Sequence, residues 1–383
     1  MKISAVICEY NPFHNGHKYQ LDKVRELTCC DAVVALMSGS FVQRGDFAIY
    51  DKNIRAEAAV LCGADLVLEN PSAFVLRSAE GYASAAVYTL DSLGCVDYLV
   101  FGAEHESLSD LQSIAALFAD ETPEFKRLLT AELAEGIPYA AARASAADKI
   151  LGGGTAEILC RPNNLLAIEY LKALIKHKSD IQPVLIQRIG TGHHDTESRG
   201  IYASASYIRS ILPESLLGVR DLVPSSAFDL YKGSKPFDRT AADKAILSAL
   251  CLISRERLSE VPDISEGLEN KIKSAAMTAE SLDELTAEVK SKRYAYARIR
   301  RALLCAYLGI TRGNSPSLPL YIKILCFSEV GRAVIRLAKS TSSLPVAKNA
   351  SAVLKDKAAL KLWKSELELD RVYEIMSQYR GII

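Results

Sequence analysis

The sequence predicts an α/β protein with a doubly wound parallel sheet, a helical insertion and a smaller all-α C-terminal domain. Short apolar runs bounded by turn residues have the length of buried strands; they are Ile3–Cys8, Asp31–Met37, Ala64–Leu68 and Val96–Phe101. Amphipathic stretches separate these runs, and they are His17–Leu27, Asp51–Cys62 and Ser78–Leu93. This βαβα order is typical of Rossmann-like sheets with helices on both faces.

The regular alternation stops after the fourth predicted strand. Residues 108–178 have a mostly helical pattern, broken by three glycines at 152–154, and we interpret them as an insertion. Strand signals return at Gln182–Arg188, and a helix is expected near Ser204. The polar stretch 232–236 predicts a linker, because helical spacing dominates from Ala241 onward. We therefore expect two domains, 1–235 and 236–383.

Composition restricts the class of protein. A chain of 383 residues with 49% hydrophobic content can bury one large or two ordinary cores. It contains no apolar run of membrane-spanning length, and the segment before Glu9 is too short for a signal peptide. The nine cysteines are scattered without a Cys-x-x-Cys pair, which predicts reduced thiols and a cytoplasmic protein with no membrane partner.

A net charge of +0 conceals an asymmetry between the two parts of the chain. From Phe237 onward there are 24 Lys and Arg against 17 Asp and Glu, so the preceding part is acidic by the same margin. A basic C-terminal part indicates a polyanionic partner. Solvated helix faces would produce the same excess.

The segment after the first predicted strand carries a His-x-Gly-His signature, His14 to His17, at a strand–turn–helix junction. Backbone N–H groups at a helix N-terminus attract phosphate, and two imidazoles on that turn can donate to an α-phosphate. Gly16 lacks a side chain and would let a flat base approach the backbone. The alternative is two satisfied surface histidines. The position of this signature directly after the strand favours nucleotide binding. The arrangement resembles that of the nucleotidylyl-transferring proteins.

A second signature, Ala203 to Arg209, is rich in serine and ends in arginine. Ser204 and Ser206 can cap a helix and donate hydroxyl groups, while Arg209 offers a fork of donors to departing pyrophosphate. An ordinary helix cap with an exposed arginine is the alternative. The order of the two signatures along the chain favours a role for both with the triphosphate.

A glycine-flanked loop follows the second predicted strand and is a candidate acetate or anion site. Its residues are Ser38, Gln43 and Arg44, to which the next helix adds Lys52. The same helix brings Arg55 near this loop, and pairing of Arg44, Lys52 and Arg55 with Asp46, Asp51 and Glu57 is the equal alternative.

Two further strand or helix ends are candidate nucleotide contacts. Gly102 closes the fourth strand and permits close approach, and Asn163 with Asn164 opens a helix after Pro162. Capping explains the asparagines equally well. Arg188 ends a late strand, beyond which His193, His194 and Asp195 form a weak metal motif. We predict no dedicated metal site, because no other ligand has suitable spacing, and expect Mg²⁺ to arrive with the triphosphate.

The segment from Lys290 to Arg301 mixes cations with two tyrosines. Cations at helical spacing suit phosphates and tyrosines suit base stacking, so the predicted RNA contacts are Lys292, Arg293, Tyr294, Tyr296, Arg298 and Arg301. A basic helix face covering the core is the alternative.

Together these motifs resemble one family, the bacterial tRNA(Met) cytidine acetate ligases. The resemblance rests on the segments 9–17, 37–45, 63–69, 101–104, 161–164 and 292–301. Asn70 departs from the family pattern, where a leucine is expected. The resemblance implies that acetate attacks ATP to give acetyl-adenylate and pyrophosphate. The N4 amine of the wobble cytidine in elongator tRNA(Met) then takes the acetyl group and releases AMP, which makes N4-acetylcytidine.

The resemblance also implies a set of site residues. His14, His17 and Arg209 would be catalytic, and Gly102, one of Asn163 or Asn164, Arg188, Ser204 and Ser206 would contact ATP. The contacts implied around the first turn are Ile7, Cys8, Glu9, Tyr10, Asn11, Pro12, Phe13, His14, Asn15, Gly16, His17, Lys18, Tyr19 and Gln20. Catalysis would be positioning and charge stabilisation, because acetate needs no base.

Two rival functions differ in what they require of the sequence. An adenylyl- or cytidylyltransferase acting on a small acceptor would need no basic helical domain. A non-catalytic RNA-binding nucleotide sensor would need no intact histidine pair. Oligomeric state, anticodon contacts and selectivity for acetate leave no signal in the sequence.

Overall fold

The computed structural model describes residues 1–188, 201–265, 267–291 and 294–378. Nine strands lie within these ranges: β1 (Ile3–Cys8), β2 (Ala32–Ser38), β3 (Phe41–Val42), β4 (Asp46–Phe47), β5 (Leu66–Asn70), β6 (Tyr98–Ala103), β7 (Gln182–Gln187), β8 (Ile322–Phe327) and β9 (Val346–Ala347). Strands β3 and β4 form a separate antiparallel hairpin, and the other seven form the central sheet.

Eighteen α-helices surround the sheet within the described ranges. Those of the first half are α1 (Asn15–Thr28), α2 (Lys52–Leu61), α3 (Ser72–Val75), α4 (Ala79–Asp91), α5 (Leu108–Ala119), α6 (Pro123–Ala134), α7 (Tyr139–Leu151), α8 (Thr155–Leu159) and α9 (Pro162–His177). The others are α10 (Ala205–Ile211), α11 (Ser225–Lys232), α12 (Arg239–Leu252), α13 (Arg255–Ser259), α14 (Leu268–Ala275), α15 (Leu282–Val289), α16 (Tyr296–Leu308), α17 (Glu329–Thr341) and α18 (Lys357–Gln378). In the described part of the chain, every helix is too short or too polar to span a membrane.

The central sheet has the order β7-β6-β1-β2-β5-β8-β9, and its first five strands are parallel. The chain runs from β1 through β2 to β5, and then returns to place β6 and β7 on the other side of β1. The order therefore reverses between β1 and β6. In open α/β sheets, ligands bind at such a reversal, outside the carboxyl ends of the strands. The predicted doubly wound α/β class is confirmed.

Both faces of the sheet are buried, because successive residues of each strand point to opposite sides. On β2, Val34 and Leu36 belong to a core that also contains residues of α4, α5, α9 and α17. Val33, Ala35 and Met37 belong to a second core, formed with α1, α2, α10 and α11. Helices α5–α9 occupy the stretch predicted as a helical insertion.

The C-terminal part is not purely helical, and this corrects the prediction of an all-α domain beyond residue 236. Helices α12–α16 do form a helical core. The chain then returns to the sheet, where β8 pairs antiparallel with β5 and β9 pairs parallel with β8. Strand β8 is a six-residue apolar run interrupted by one lysine, a length that suits a strand better than a helix. Strands β8 and β9 thus belong to the sheet of the first predicted domain although they follow residue 235. The division into two domains at that residue stays a prediction.

The β8–α17 unit docks closely on β5. The carbonyl oxygen of Asp65 accepts a hydrogen bond from the Ser328 backbone N–H, and a Cβ added at Gly331 would lie 1.9 Å from that oxygen. We expect Gly331→Ala to lower the free energy of unfolding by about 1–3 kcal/mol, because backbone must shift to accept the methyl group. Gly313→Ala is the control, because a Cβ there meets nothing within 4 Å. Urea unfolding measures both variants, and equal midpoints would contradict the docking described here.

Candidate active site

The turn after β1 brings two histidines into contact. Tyr10 has a positive φ of 47°, the Asn11–Pro12 peptide is cis, and His14 is the N-cap of α1. The Nδ1 atom of His14 accepts the backbone N–H of Gly16 at 3.1 Å, and Nδ1 of His17 accepts that of His14 at 3.3 Å. The two imidazole rings stack with centroids 3.8 Å apart. This reciprocal cap explains why α1 begins two residues before the predicted start.

These hydrogen bonds fix the proton on each ring. A nitrogen that accepts an N–H carries no proton, so Nε2–H of both His14 and His17 is left as a donor. Burial, with the nearby charges of Arg188 and Arg209, lowers the pKa of His14 to about 3. Burial also lowers the pKa of His17 well below its usual value. The site thus holds a pair of neutral imidazoles that can donate without adding charge.

The serine-rich signature meets this turn as predicted from chain order. Ser204 caps α10 by accepting the backbone N–H of Tyr207 at 3.1 Å. Arg209 donates to the carbonyl oxygen of Asn11 at 2.6 Å and to Oγ of Ser206 at 3.0 Å. One guanidinium therefore bridges the two signatures, which are nearly two hundred positions apart. Asn15 adds a second link, because its amide donates to the carbonyl oxygens of Ile201 and Asp221.

The candidate anion loop forms the β3–β4 hairpin, with Gln43 and Arg44 at its tip. The backbone N–H of Gln43 donates to Oε1 of Glu9 at 2.8 Å, and its side chain donates to the carbonyl oxygen of Arg77. Burial lowers the pKa of Arg188 and of Arg209, and the nearby charge of Arg44 lowers both further. The hairpin tip therefore faces the same crevice as the histidine turn.

Two other members of the candidate anion set lie deeper. Ser38 is fully buried at the end of β2. Lys52 is buried and pairs with Glu69 at 2.6 Å and with Asp370. Burial alone would lower the pKa of Lys52, but these two carboxylates raise it. Neither of the interpretations made from sequence named these partners, and the ion pairs favour a structural role for Lys52.

The sequence placed Arg55 near the anion loop but did not identify it as a site residue. It is fully buried, and its guanidinium donates to the carbonyl oxygens of Glu9 at 2.6 Å, Ser38 at 3.1 Å and Tyr50 at 2.9 Å, and also to that of Gly39. It therefore ties the histidine turn to the hairpin. A long cation among the buried alanines of α2 is the one signal that pointed to it.

The end of β6 forms the other wall of the crevice. A Cβ added at Gly102 would lie 3.3 Å from the Arg188 side chain, so glycine keeps this strand end open. Asn164 is buried, and its amide oxygen accepts the backbone N–H groups of Glu104 and His105, both at 2.9 Å. Asn163 is only half-buried and donates to Glu104 at 2.5 Å. These contacts favour Asn163 over Asn164 as the residue that meets nucleotide.

The remaining predicted ATP contacts differ in exposure. Tyr10 and Phe13 are fully buried and pack on His17, with ring centroids 4.9 and 5.6 Å from its own. Cys8 is also buried, whereas Lys18 is exposed and pairs with Asp22. Tyr10 and Phe13 thus pack against the His17 ring and fix its position. Ile7, Tyr19 and Gln20 are half-buried.

Metal ligands are not grouped in the structure as far as it is described. Among those residues, no three His, Cys, Asp or Glu side chains lie where they would hold a metal ion. His193, His194 and Asp195 lie outside the described residues.

The basic segment is largely occupied by contacts within the chain. Tyr294 is buried and donates to the Ser265 carbonyl oxygen, and Arg301 is buried and pairs with Asp263 at 2.9 Å. Arg298 donates to the carbonyl oxygen of Asp263 and to Oγ of Ser265. Tyr296 is 41% exposed and donates to Asp283 at 2.6 Å. Tyr294 and Arg301 therefore fit the packing interpretation, while Lys292 and Arg293 lie outside the described residues.

The lowered pKa of His14 makes folding stability depend on pH. Below about pH 6.5 the unfolded chain binds a proton on this imidazole while the folded chain does not, so stability falls as the pH drops. Between pH 7.5 and 5.5, we expect the wild type to lose about 1 kcal/mol more unfolding free energy than His14→Gln. Urea unfolding at both pH values is the measurement, and identical losses would show that His14 protonates normally.

Comparison with known proteins agrees with this geometry. A family model described as HIGH Nucleotidyl Transferase matches residues 1–381. The tRNA(Met) cytidine acetate ligase of Clostridium novyi is 38% identical over 357 residues, covering 90% of this chain and 89% of that protein. The corresponding ligase of Clostridium kluyveri is 39% identical over 376 residues, covering 93% and 92%.

Solved structures give the same result. The crystal structure of Thermotoga maritima TmcAL bound with alpha-thio ATP superposes with a TM-score of 0.91 at 31% identity, covering 99% of this chain and 95% of that chain. The apo form of that protein gives a TM-score of 0.93 at 32% identity, covering 99% and 96%. With sequence and fold in agreement over nearly its whole length, the chain belongs to the tRNA(Met) cytidine acetate ligase family.

Proposed function

We propose that this protein forms acetyl-adenylate from acetate and ATP and transfers the acetyl group to N4 of the wobble cytidine in elongator tRNA(Met). The observation that carries the proposal is the pair of neutral, stacked imidazoles next to Arg209, at the reversal point of the sheet. The binding of alpha-thio ATP by the Thermotoga maritima relative supports placing the nucleotide in this crevice.

In the first step, an acetate oxygen attacks the α-phosphorus of ATP, and the bond to the pyrophosphate oxygen breaks. Nε2–H of His14 and of His17 would donate to the α-phosphate oxygens as charge develops there. Arg209 would accompany the departing pyrophosphate, with Ser204 and Ser206 beside it. The imidazoles add no charge, so the positive side chains nearest the triphosphate would be arginines.

In the second step, the cytidine N4 amine attacks the acetyl carbonyl carbon. The bond to the AMP phosphate oxygen breaks, and N4 loses one proton. That proton would pass to water, because an activated acyl phosphate needs little assistance from a base. We propose that Mg²⁺ enters with the triphosphate, which is consistent with the lack of a metal-ligand cluster among the described residues.

Acetate would approach from the hairpin side of the crevice. The β3–β4 hairpin brings Gln43 and Arg44 to the histidine turn through the bond between Gln43 and Glu9. The positive field there comes from Arg44, Arg188 and Arg209. That field suits a small carboxylate, and the names of the relatives support a ligase over an adenylyl- or cytidylyltransferase.

The histidine pair gives a direct test of the first step. We expect His17→Ala to lower acetate-dependent ATP–pyrophosphate exchange by about 10²–10³, because one transition-state donor is lost. Arg209→Ala should also lower exchange strongly, while tRNA affinity stays near normal. His177→Ala is the control, because His177 lies on α9 and bonds Ser84. Normal exchange by a folded His17→Ala protein would remove this residue from the mechanism.

The second part of the proposal is that the basic segment around α16 contacts tRNA phosphates. The surplus of cations beyond Phe237 supports this. We expect Lys292→Ala with Arg293→Ala to flatten the salt dependence of tRNA binding by a slope of about 0.7–0.9 per lost phosphate contact. Exchange without tRNA should continue at the normal rate. Tyr296→Ala should weaken binding with little change in slope, because stacking releases no counterions.

Arg301→Ala is the comparison for that experiment. Arg301 is buried against Asp263, so its loss should lower stability and not alter the salt slope. Binding measured at several salt concentrations separates the two effects. An unchanged slope in the double variant would assign the RNA contacts to another surface.

A further inference from the structure

The last helix holds the hairpin that faces the nucleotide crevice. The base of the β3–β4 hairpin is closed by a hydrogen bond from the Ala48 backbone N–H to the Ser40 carbonyl oxygen, at 3.0 Å. Helix α18 contacts both residues of that base. Oδ1 of Asp370 accepts the Ser40 hydroxyl at 2.8 Å, and the Tyr373 hydroxyl donates to the Ala48 carbonyl oxygen at 2.9 Å.

The Asp370 carboxylate is itself held from the other side. Its second oxygen pairs with Lys52 and lies 3.7 Å from the ammonium group of Lys323. Both lysines also pair with Glu69, each at 2.6 Å. Two cations and two anions thus form a buried, neutral cluster between β5, β8, α2 and α18. A carboxylate fixed in this way has one orientation, so the Ser40 bond is directional.

The cluster also lies against the start of the hairpin. A Cβ added at Gly39 would come within 2.5 Å of Oε1 of Glu69, so the backbone beside Ser40 runs directly over the ion pairs. At the far end, the hairpin tip packs on α16, because a Cβ at Gly45 would lie 2.4 Å from the Arg301 backbone nitrogen. Two C-terminal helices therefore contact the hairpin, α18 at its base and α16 at its tip.

We propose that Asp370 is a positioning residue for the acetate step, acting through Ser40 on the hairpin that carries Gln43 and Arg44. This inference rests on the proposed function, in which acetate binds on the hairpin side of the crevice. The bond between Ser40 and Asp370 is charge-assisted and partly buried, so its removal frees the hairpin base. ATP bound between β1 and β6 does not depend on it. Loss of the bond therefore acts on acetate and spares the nucleotide.

The test separates the Michaelis constants of the two substrates. In ATP–pyrophosphate exchange, Ser40→Ala should raise the KM for acetate about tenfold or more and leave the KM for ATP within about twofold. Asp370→Asn should also raise the KM for acetate, because it removes the charge from the bond to Ser40 and from the pairs with both lysines. Adding Ser40→Ala to that variant should change the KM little further, because the two residues share one bond. Glu366→Gln is the matched control, since Glu366 is another carboxylate on α18, is buried, and accepts the backbone N–H groups of Ser72 and Ala73 instead.

Thermal unfolding of each variant identifies loss of fold. Should Asp370→Asn not fold, Ser40→Ala decides the matter alone, because it leaves the ion cluster intact. An unchanged KM for acetate in a folded Ser40→Ala protein overturns the inference while leaving the proposed function standing. An equal rise in both Michaelis constants, or an equal effect of Glu366→Gln, also overturns it. A wild-type protein that binds ATP but shows no acetate-dependent exchange overturns the proposed function, and this inference with it.

Discussion

The guanidinium of Arg55 is the interaction on which the site depends. Parallel strands β1 and β2 end side by side, and this guanidinium lies in the gap between the segments that follow them. Arg55 reaches into this gap and satisfies carbonyl groups of Glu9, Ser38 and Gly39, while a fourth bond to Tyr50 anchors its own helix. Arginine alone among side chains offers five donors in a fixed fork. Burial lowers its pKa, but an arginine in a protein still carries its charge beneath the crevice.

Features written in local sequence were predictable. The histidine pair forms a reciprocal cap because the two residues are three positions apart on the first turn of α1. Ser204 likewise caps α10 by accepting a backbone N–H three residues further on. Strand composition also predicted the five parallel strands to within two residues of their observed ends. The histidine signature, the anion loop and Gly102 each follow a predicted strand, and the rule that ligands gather at the carboxyl ends of strands is what relates them to one crevice. Each of these steps needs only spacing, composition and topology.

Features that depend on distant partners were not predictable. Lys52 pairs with Glu69 and Asp370, which lie 17 and 318 positions away, and no spacing rule connects them. Tyr294 and Arg301 share a pattern with exposed nucleic-acid contacts, yet their burial follows from how α16 packs. Strand β8 was assigned to the helical region because the strand with which it pairs, β5, is remote in sequence. In each case tertiary packing, which local sequence does not specify, decided the outcome.

The insertion of β8 beside β5 has a consequence for biogenesis. The side chains of Asp65 and Ser328, 263 positions apart, are hydrogen-bonded across this junction. A ribosome releases the N-terminal strands long before it releases β8, so the growing chain carries β5 as an open apolar edge for most of translation. Closure of such a remote pairing is slow because the intervening loop must first be ordered. A nascent chain stalled before residue 322 would keep that edge uncovered and prone to association with other strands.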